Sequence, residues 1–588
     1  MSARQVYGQS SRKLVLAFDV GTTYSGISYS ILDPGHSVSV KGVTRFPAQE
    51  HIMGASKIPT IMYYDKQGKV RAAGAEAIRE GIEEEAEDGG WIKAEWFKLH
   101  LSSKVTNMRD IAQRIPPLPP KKTVVHIFAD FFLYLFDCAS AYIQDTEPNG
   151  QGMWNSVRSS IDFVLSHPNG WEGREQSQMR QAAVLAGLIP DTTAGHARIS
   201  FVTEGEASLH FAIESGALTS VVKGHGVVVD AGGGTIDIST YRHDPSQVTR
   251  LFQEVAAPRC FLYGSVFVSI QARIFLEKFL EDSDFIEDLD HIIQCFDRTT
   301  KLRFKHPDEP QYIKFGSSRD NDQEHNIRFG QLKLAGKDVM GFFGPSATCI
   351  VDIVGELRWM ASANVSHIVL VGGFAANDWL FQEVRTKVNQ LGLTISRPEN
   401  HVNKAVSDGA ISFYLNHFVR TRMSRFAFGS FGAVIFDRRN EGHLKRAHKK
   451  TTYPSGEIVL PNHFTMILPK NTQVSEMTEF KEEFYEEHPN LACFHHIESE
   501  VWCYRGELEN PEWKDEDPVN YHLLCTISAN LSHLPIKRRN RNGKAYYRVD
   551  LELILLFGLT EMQAQIAWKG KSGMQRTPAR IVYPPSDD

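Results

Sequence analysis

Two stretches about two hundred residues apart carry the same pattern, and this repeat constrains the fold more than any other feature of the chain. The first is LVLAFDVGTTYSGISYSILD, residues 14–33. Leu14, Leu16 and Phe18 alternate with Val15 and Ala17, so both faces are apolar, which predicts a buried strand. Asp19 stands at its end, Gly21, Thr22 and Thr23 make a turn, and a strand returns from Tyr24 through Ile27, Tyr29 and Ile31. Gly21 permits the tight bend. The two threonines set hydroxyls beside exposed N–H groups, a nest suited to phosphate oxygens. Asp19 repels phosphate directly but can hold a hydrated magnesium ion that bridges to it. The second stretch is GVVVDAGGGTIDISTY, residues 226–241. Again an apolar strand ends in an acid, Asp230. Gly232, Gly233, Gly234 and Thr235 follow, and a strand returns through Ile236, Asp237 and Ile238. Either hairpin alone is equally well an ordinary glycine turn. Together they predict an internal duplication at domain scale, with two hairpins gripping one polyphosphate.

A third glycine element, HIVLVGGF, ends in Gly372, Gly373 and Phe374 and runs into the helix-like AANDWLFQEVRTKVNQL. Paired glycines at a strand-to-helix turn let a flat group such as adenosine lie against the backbone. No GxxxxGK[ST] loop stands where a P-loop would need it.

With 588 residues the chain predicts two or three domains. Lys plus Arg is 64 against 70 Asp plus Glu, a net charge of −6, so no nucleic-acid partner is expected. The polar start MSARQVYGQSSRK does not resemble a signal peptide, and no uninterrupted apolar run long enough for a membrane span is expected. The seven scattered cysteines fit reduced thiols, so a cytoplasmic location is expected, with the nucleus as a second compartment.

Asp-x-Gly-Thr-Thr-Tyr-Ser, Asp-x-Gly-Gly-Gly-Thr-x-Asp and Val-Leu-Val-Gly-Gly-Phe, in this order and spacing, resemble the actin-like ATPase superfamily, and within it the heat-shock-70 chaperones. The chain looks like one of their divergent relatives, of the branch found in fungi and as an outlying group in animals. The resemblance covers residues 13 to about 420. It implies an α/β fold: a flexible tail over 1–12, then a two-lobed actin-like ATPase domain over 13–420 in which each lobe has a ribonuclease-H-like core. Lobe I runs over about 13–222 and lobe II over about 223–420.

The same resemblance implies roles. Asp19 and Asp230 would hold magnesium through water. Gly21, Thr22, Thr23, Tyr24, Gly232, Gly233, Gly234 and Thr235 would bind the phosphates, with Thr23 and Thr22 also orienting water. Asp237 would help polarise the attacking water. Residues 161–189 read as strand, loop and helix. The strand ends in Ser166-His167-Pro168 where the family has Val-Pro-Ala. In FVTEGEASLHFAIESG, Glu204 falls on the glutamate of the family's Asn-Glu-Pro-Thr, although Glu206 leaves the register open by two. Lys98 in KAEWFKLHL, read as an amphipathic helix, is the candidate for the lysine that reaches the γ-phosphate, with Lys93 as alternative. Lys301, after Asp297 in CFDRTTKLRFK, would stack on adenine less well than the family's arginine. Gly372, Gly373 and Phe374 would complete that pocket, and Asn403 aligns with a family acid there. ATP or ADP with magnesium is the implied ligand.

Beyond residue 420 short alternating runs predict a β-sandwich-like domain over 421–588, with an unrelated β-domain as the alternative. HFTMILPKNTQVSE and KAYYRVDLELILLFGLTEMQAQIAWKGK resemble opening and closing strands of the family's substrate-binding domain, and Asn542-Gly543 is a hairpin signal. The domain is expected to lack the helical lid. VRTRMSRFAFGS reads as a basic interdomain linker, Lys537–Arg541 as a basic loop, RIPPLPPKK (114–122) as a stiff connector, and ACFHHIESEVWC as no metal site. Three functions are compatible with these readings: an ATP-hydrolysing chaperone-like protein acting on unfolded or extended polypeptide, a nucleotide-dependent scaffold with little turnover, and a metabolite kinase. Co-chaperones are not legible.

Overall fold

The computed structural model describes residues 6–49, 56–102, 113–171, 173–216, 225–243, 251–360, 365–398, 404–475, 478–534, 536–557, 561–570 and 573–577. Asn403 lies outside these residues. The chain divides into two compact units, Met1–Val419 and Arg420–Asp588, and is mixed α/β.

The first unit is built on two sheets. The first uses β1 (Lys13–Val20), β2 (Tyr24–Leu32), β3 (Lys41–Gly42), β4 (Asp162–His167) and β5 (Ile199–Thr203) in the order β3-β2-β1-β4-β5. The second uses β6 (His225–Ala231), β7 (Ile236–His243), β8 (Phe252–Phe261), β9 (Val365–Val371) and β10 (Thr394–Ser396), and runs β8-β7-β6-β9-β10. The two orders are the same. In each, the first strand pairs antiparallel with its hairpin partner and parallel with the strand that follows a long crossover. The duplication read from the two motifs is therefore present in the topology. Every residue of β1 after Lys13 is buried, because helices cover the sheet on both faces.

Helix α1 (Val124–Thr146) is capped by Thr123, whose hydroxyl accepts from the His126 N–H, and its buried face, with Phe128, Phe131, Phe132 and Leu135, joins Leu16 and Phe18 in the core of the first sheet. The second core gathers β6, β7 and β9 with helices α4 (Ser265–Phe279), α5 (Gly336–Trp359) and α6 (Asp378–Gln390). By length and composition α1 and α5 could each cross a membrane, but about half of each apolar window is buried in these cores. Between the sheets, α3 (Glu204–Glu214) packs on α7 (Ala405–Asn416) so closely that a Cβ at Gly409 would overlap the Ala207 carbonyl. Helix α2 (Gly173–Leu185) follows β4, as the strand-loop-helix reading expects.

The second unit has two antiparallel sheets. One holds Ile458–Leu468, Ala427–Ile435, Ile497–Tyr504 and Tyr521–Ala529; the other holds Glu479–His488, Lys544–Phe557 and Met562–Gly570. Phe428, Leu468, Val501 and Ile527 of the first meet Leu551, Leu553, Leu555 and Ile566 of the second, which makes a sandwich core. Asn542 and Gly543 both take positive φ and form a two-residue turn with Arg541 opposite Lys544. That turn corrects the reading of Lys537–Arg541 as a loop: Arg538–Arg541 is a strand zipped onto Lys544–Tyr547. The expected linker is also structured, since Val419–Met423 is a strand that pairs with Gln473–Ser475.

Candidate nucleotide site in the first unit

The two hairpin turns meet. A Cβ added at Gly233 would overlap Thr23 Oγ1, and one at Gly234 would overlap Thr22 Oγ1. Only residues without side chains allow this approach. The second turn is closed by Gly232 N–H donating to the Thr235 carbonyl (2.9 Å). The start of α4 then ties it down: the Ser265 and Val266 N–H groups donate to the Gly232 and Gly233 carbonyls (3.1 and 2.8 Å). Gly372, at the end of β9, has φ +94°, and a Cβ there would overlap Asp230 Oδ1.

Four buried acids gather behind these turns: Asp19, Glu204, Asp230 and Asp237. Asp19 Oδ1 accepts from the Ser166 hydroxyl (3.0 Å) and Oδ2 pairs with Lys57 Nζ (2.9 Å). Asp230 Oδ2 accepts from Ser208 (2.7 Å), and Asp230 stands opposite Asp237 in the β6–β7 register. Asp237 Oδ1 accepts from the Asn169 N–H (2.6 Å), whereas its buried Oδ2 has no partner at full hydrogen-bond geometry, although the Thr235 hydroxyl and Cys260 thiol draw on its charge. Lys98 Nζ pairs with Glu204 Oε1 at 2.6 Å, and both side chains are buried. The ammonium also lies 5.4 Å from the Trp171 ring centre.

Burial drives these acids toward their neutral forms, and they add to one another's load. Burial, opposed by the Ser208 hydroxyl and reinforced by Asp237 and Asp19, pushes Asp230 up to about 7. Burial also raises Glu204, against Lys98 and with the help of the three aspartates, and it raises Asp237. Burial disfavours the Lys57 ammonium, but Asp19, with Asp230 and Glu204, more than offsets this and leaves its pKa raised. His167 is pushed down to about 4 by burial, so it is neutral, stacked on Trp171 and held by Gln176.

The structure thus brings Asp19, Thr22, Thr23, Lys98, Glu204, Asp230, Gly233, Gly234, Thr235 and Asp237 together. Lys98 pairs with Glu204, not Glu206, while Lys93 pairs with Glu95. The expected amphipathic helix around Lys98 is absent: Ile92–Glu95 is a strand and Phe97–Leu101 a single 3-10 turn, because Phe97, Leu99 and Leu101 are all buried. Tyr24 is half-exposed, with Arg298 and Asp297 near enough for their charges to act on its hydroxyl. The adenine side is less complete. Lys301 is buried and tied to Asp297 Oδ1 (2.8 Å) and Ser269 Oγ (2.9 Å), so its ammonium is engaged. Phe374 turns its ring into the core against Phe343 and offers no face to a ligand.

Sequence reasoning missed four residues. Lys57 lies outside any motif, and only the pairing of Ile58–Pro59 with Tyr24–Ser25 carries it to Asp19. Asn169 joins the end of β4 to Asp237 and Ser239. Cys260, opposite Asp237 in register, and Trp171 border a cavity of about 10 Å³ with Thr22, Lys98 and Thr235. That volume suits a water, not a phosphate chain. A larger cleft of about 910 Å³ lies between Trp96, Arg114 and Ile115 on one side and Ser269, Glu277 and Asp297 on the other.

Among the described residues no group of three or more His, Cys, Asp or Glu side chains could hold a metal directly. The four acids are buried and crowd one another, and Asp19 and Glu204 are each already paired with a lysine.

No protein-family model matches the chain. It is 23% identical to the mouse heat shock 70 kDa protein 12A over 514 residues, 73% of each chain. To the human protein of that name it is 24% identical over 509 residues, 72% of each. To the human heat shock 70 kDa protein 12B it is 21% identical over 509 residues, 72% of this chain and 71% of the relative. These similarities make the chain a distant, divergent relative of the heat-shock-70 proteins 12A and 12B.

Proposed function

We propose that the first unit binds ATP with magnesium between its two duplicated sheets, in an actin-like ATPase arrangement, and hydrolyses it slowly. The observation that carries this reading is the convergence of two topologically equivalent hairpins on one buried cluster, Asp19, Lys98, Glu204, Asp230 and Asp237. Bound magnesium would neutralise phosphate charge and order the attacking water. Thr22, Thr23, Thr235 and the glycine N–H groups would hold phosphate oxygens, and Lys98 would move from Glu204 toward the terminal phosphate. Glu204 and Asp237 would then orient water. Because the turns touch at Gly233 and Gly234, admitting a polyphosphate requires them to part. Nucleotide state is therefore expressed as cleft opening, which a chaperone-like protein would couple to extended polypeptide on its β-sandwich unit. Membership of the branch shared by fungi and outlying animal proteins, and a cytoplasmic location, belong to the same reading.

A second reading, a nucleotide-dependent scaffold with little turnover, is favoured by one observation. Glu204 is held by Lys98 and driven toward its neutral form, in which it cannot polarise water. Calorimetric titration with ATP and magnesium, on the intact chain and on Asp19→Ala and Asp230→Ala, separates the readings when joined to a phosphate-release assay. Nucleotide binding with phosphate release by the intact chain, and release lost in both variants, supports the ATPase. Binding without release supports the scaffold. A folded chain that binds no nucleotide sinks both.

A further inference from the structure

Among the described residues, Lys57 is the cation at the buried cluster that no motif announces. It directly precedes Ile58–Pro59, which pairs with Ser25 and Tyr24 just after the first turn. Two further bonds fix that pairing: the Thr60 N–H donates to the Thr23 carbonyl (2.9 Å), and the Ser25 and Thr60 hydroxyls meet at 2.7 Å. The lysine is therefore anchored to the backbone of the phosphate turn itself. Its ammonium lies 2.9 Å from Asp19 Oδ2, with the side chain only 20% exposed, and its charge acts on Asp230 and Glu204 as well. With Ser166 on Oδ1, both oxygens of Asp19 have protein donors. An ammonium thus stands on the carboxylate that the family resemblance gives to hydrated magnesium. Lys98 is committed elsewhere, to Glu204.

We infer that Lys57 supplies part of the cation's role, contacting the phosphate chain from the first turn, so that nucleotide binding depends only weakly on divalent cation. This inference rests on the nucleotide-binding reading above. A charge-assisted contact of this kind is worth about tenfold to a hundredfold in affinity. The test is ATP titration of the full chain in magnesium and in EDTA. The intact chain is expected to bind in EDTA within about tenfold of its affinity in magnesium. Lys57→Met should lose about tenfold or more in EDTA and much less in magnesium, while Lys57→Arg keeps binding in both. Binding of the intact chain that needs magnesium as strictly as Lys57→Met does overturns the inference, as does a folded Lys57→Met that binds normally in EDTA. Because removing the lysine leaves Asp19 buried without its partner, the comparison of the two buffers on the intact chain and on Lys57→Arg decides the matter if Lys57→Met does not fold. A folded intact chain that binds in neither buffer overturns the nucleotide-binding reading itself, an outcome distinct from binding in magnesium alone.

Discussion

The two hairpins share strand order and sense but balance charge in opposite ways. Across β1 and β2, Asp19 faces Gly26 in register. Gly26 brings no charge of its own, and the Lys57 stem runs past it, 3.6 Å from where a Cβ would stand. Across β6 and β7, Asp230 faces a second acid, Asp237. The first hairpin thus has a counter-charge delivered by the short strand paired to it, whereas the second sets two acids face to face. Duplicated topology fixes where the acids stand; the residues opposite them fix whether they are compensated.

The largest test removes the cation that pairs with Glu204. Lys98→Met should destabilise the first unit by about 3–5 kcal/mol in denaturant unfolding, because Glu204 is left buried and unpaired. Adding Glu204→Gln should recover most of that loss. If Lys98→Met leaves stability unchanged, the pair does not hold the cluster together.

Asp230→Asn should act in the opposite sense. Its folded pKa, about 7, lies above the unfolded carboxylate value, so the folded protein binds the extra proton between these values. Its contribution is favourable at low pH and is lost as pH rises toward 7. At pH 8 the variant should therefore be more stable than the intact chain by about 2–4 kcal/mol, the upper end being the full cost of ionising so strongly displaced a carboxyl. It should also flatten the gain in melting temperature on moving from pH 8 to pH 6.5. Below that, His167 works the other way: burial keeps it neutral while the unfolded chain takes up a proton, so it costs stability as pH falls from 6.5 to about 4. A variant melting below the intact chain at pH 8 would contradict the uncompensated second hairpin.

Gly233→Ala probes the meeting of the two halves. Its Cβ would overlap Thr23 Oγ1 and lie 3.2 Å from the Thr23 N, so the turns must separate. A cost of about 1–3 kcal/mol is expected, as for other overpacked contacts, visible in thermal unfolding. Thr23→Ala in the same chain should return part of it.

Much of this comparison was legible in the sequence. Asp19, Asp230 and the glycine turns show themselves because strand, turn and returning strand are local, and one hairpin repeats the other. Lys98 and Glu204 were reachable only through the resemblance, since 106 residues separate them before they meet. Lys57 and Asn169 were not reachable, because pattern and period say nothing about which loop residue a strand pairing will deliver to a buried acid. The helix expected around Lys98 failed for a related reason. KAEWFKLHL spaces its apolar residues as a helix would, but Ile92–Glu95 is claimed by pairing with Ile61–Tyr64, and only one turn remains. Phe374 followed the family's motif in sequence, yet the aromatic core of Phe343, Phe304 and Trp379 took its ring.

The smallest expected effect isolates what Gly26 does. A Cβ there would meet Ser407 Oγ at 3.4 Å, the Ser56 carbonyl at 3.5 Å and Lys57 Cγ at 3.6 Å, all ordinary contacts. Space therefore does not demand glycine. Replacing a strand glycine also lowers the entropy of the unfolded chain, so Gly26→Ala should change stability by no more than about 1 kcal/mol, in either direction. Gly26→Asp is the informative partner, since it rebuilds in the first hairpin the facing acids of the second. It should cost far more than the alanine, and should lose most of that excess at pH 5, where a repelled buried carboxylate takes up a proton. If the two substitutions cost the same at both pH values, the difference between the hairpins is steric and not electrostatic.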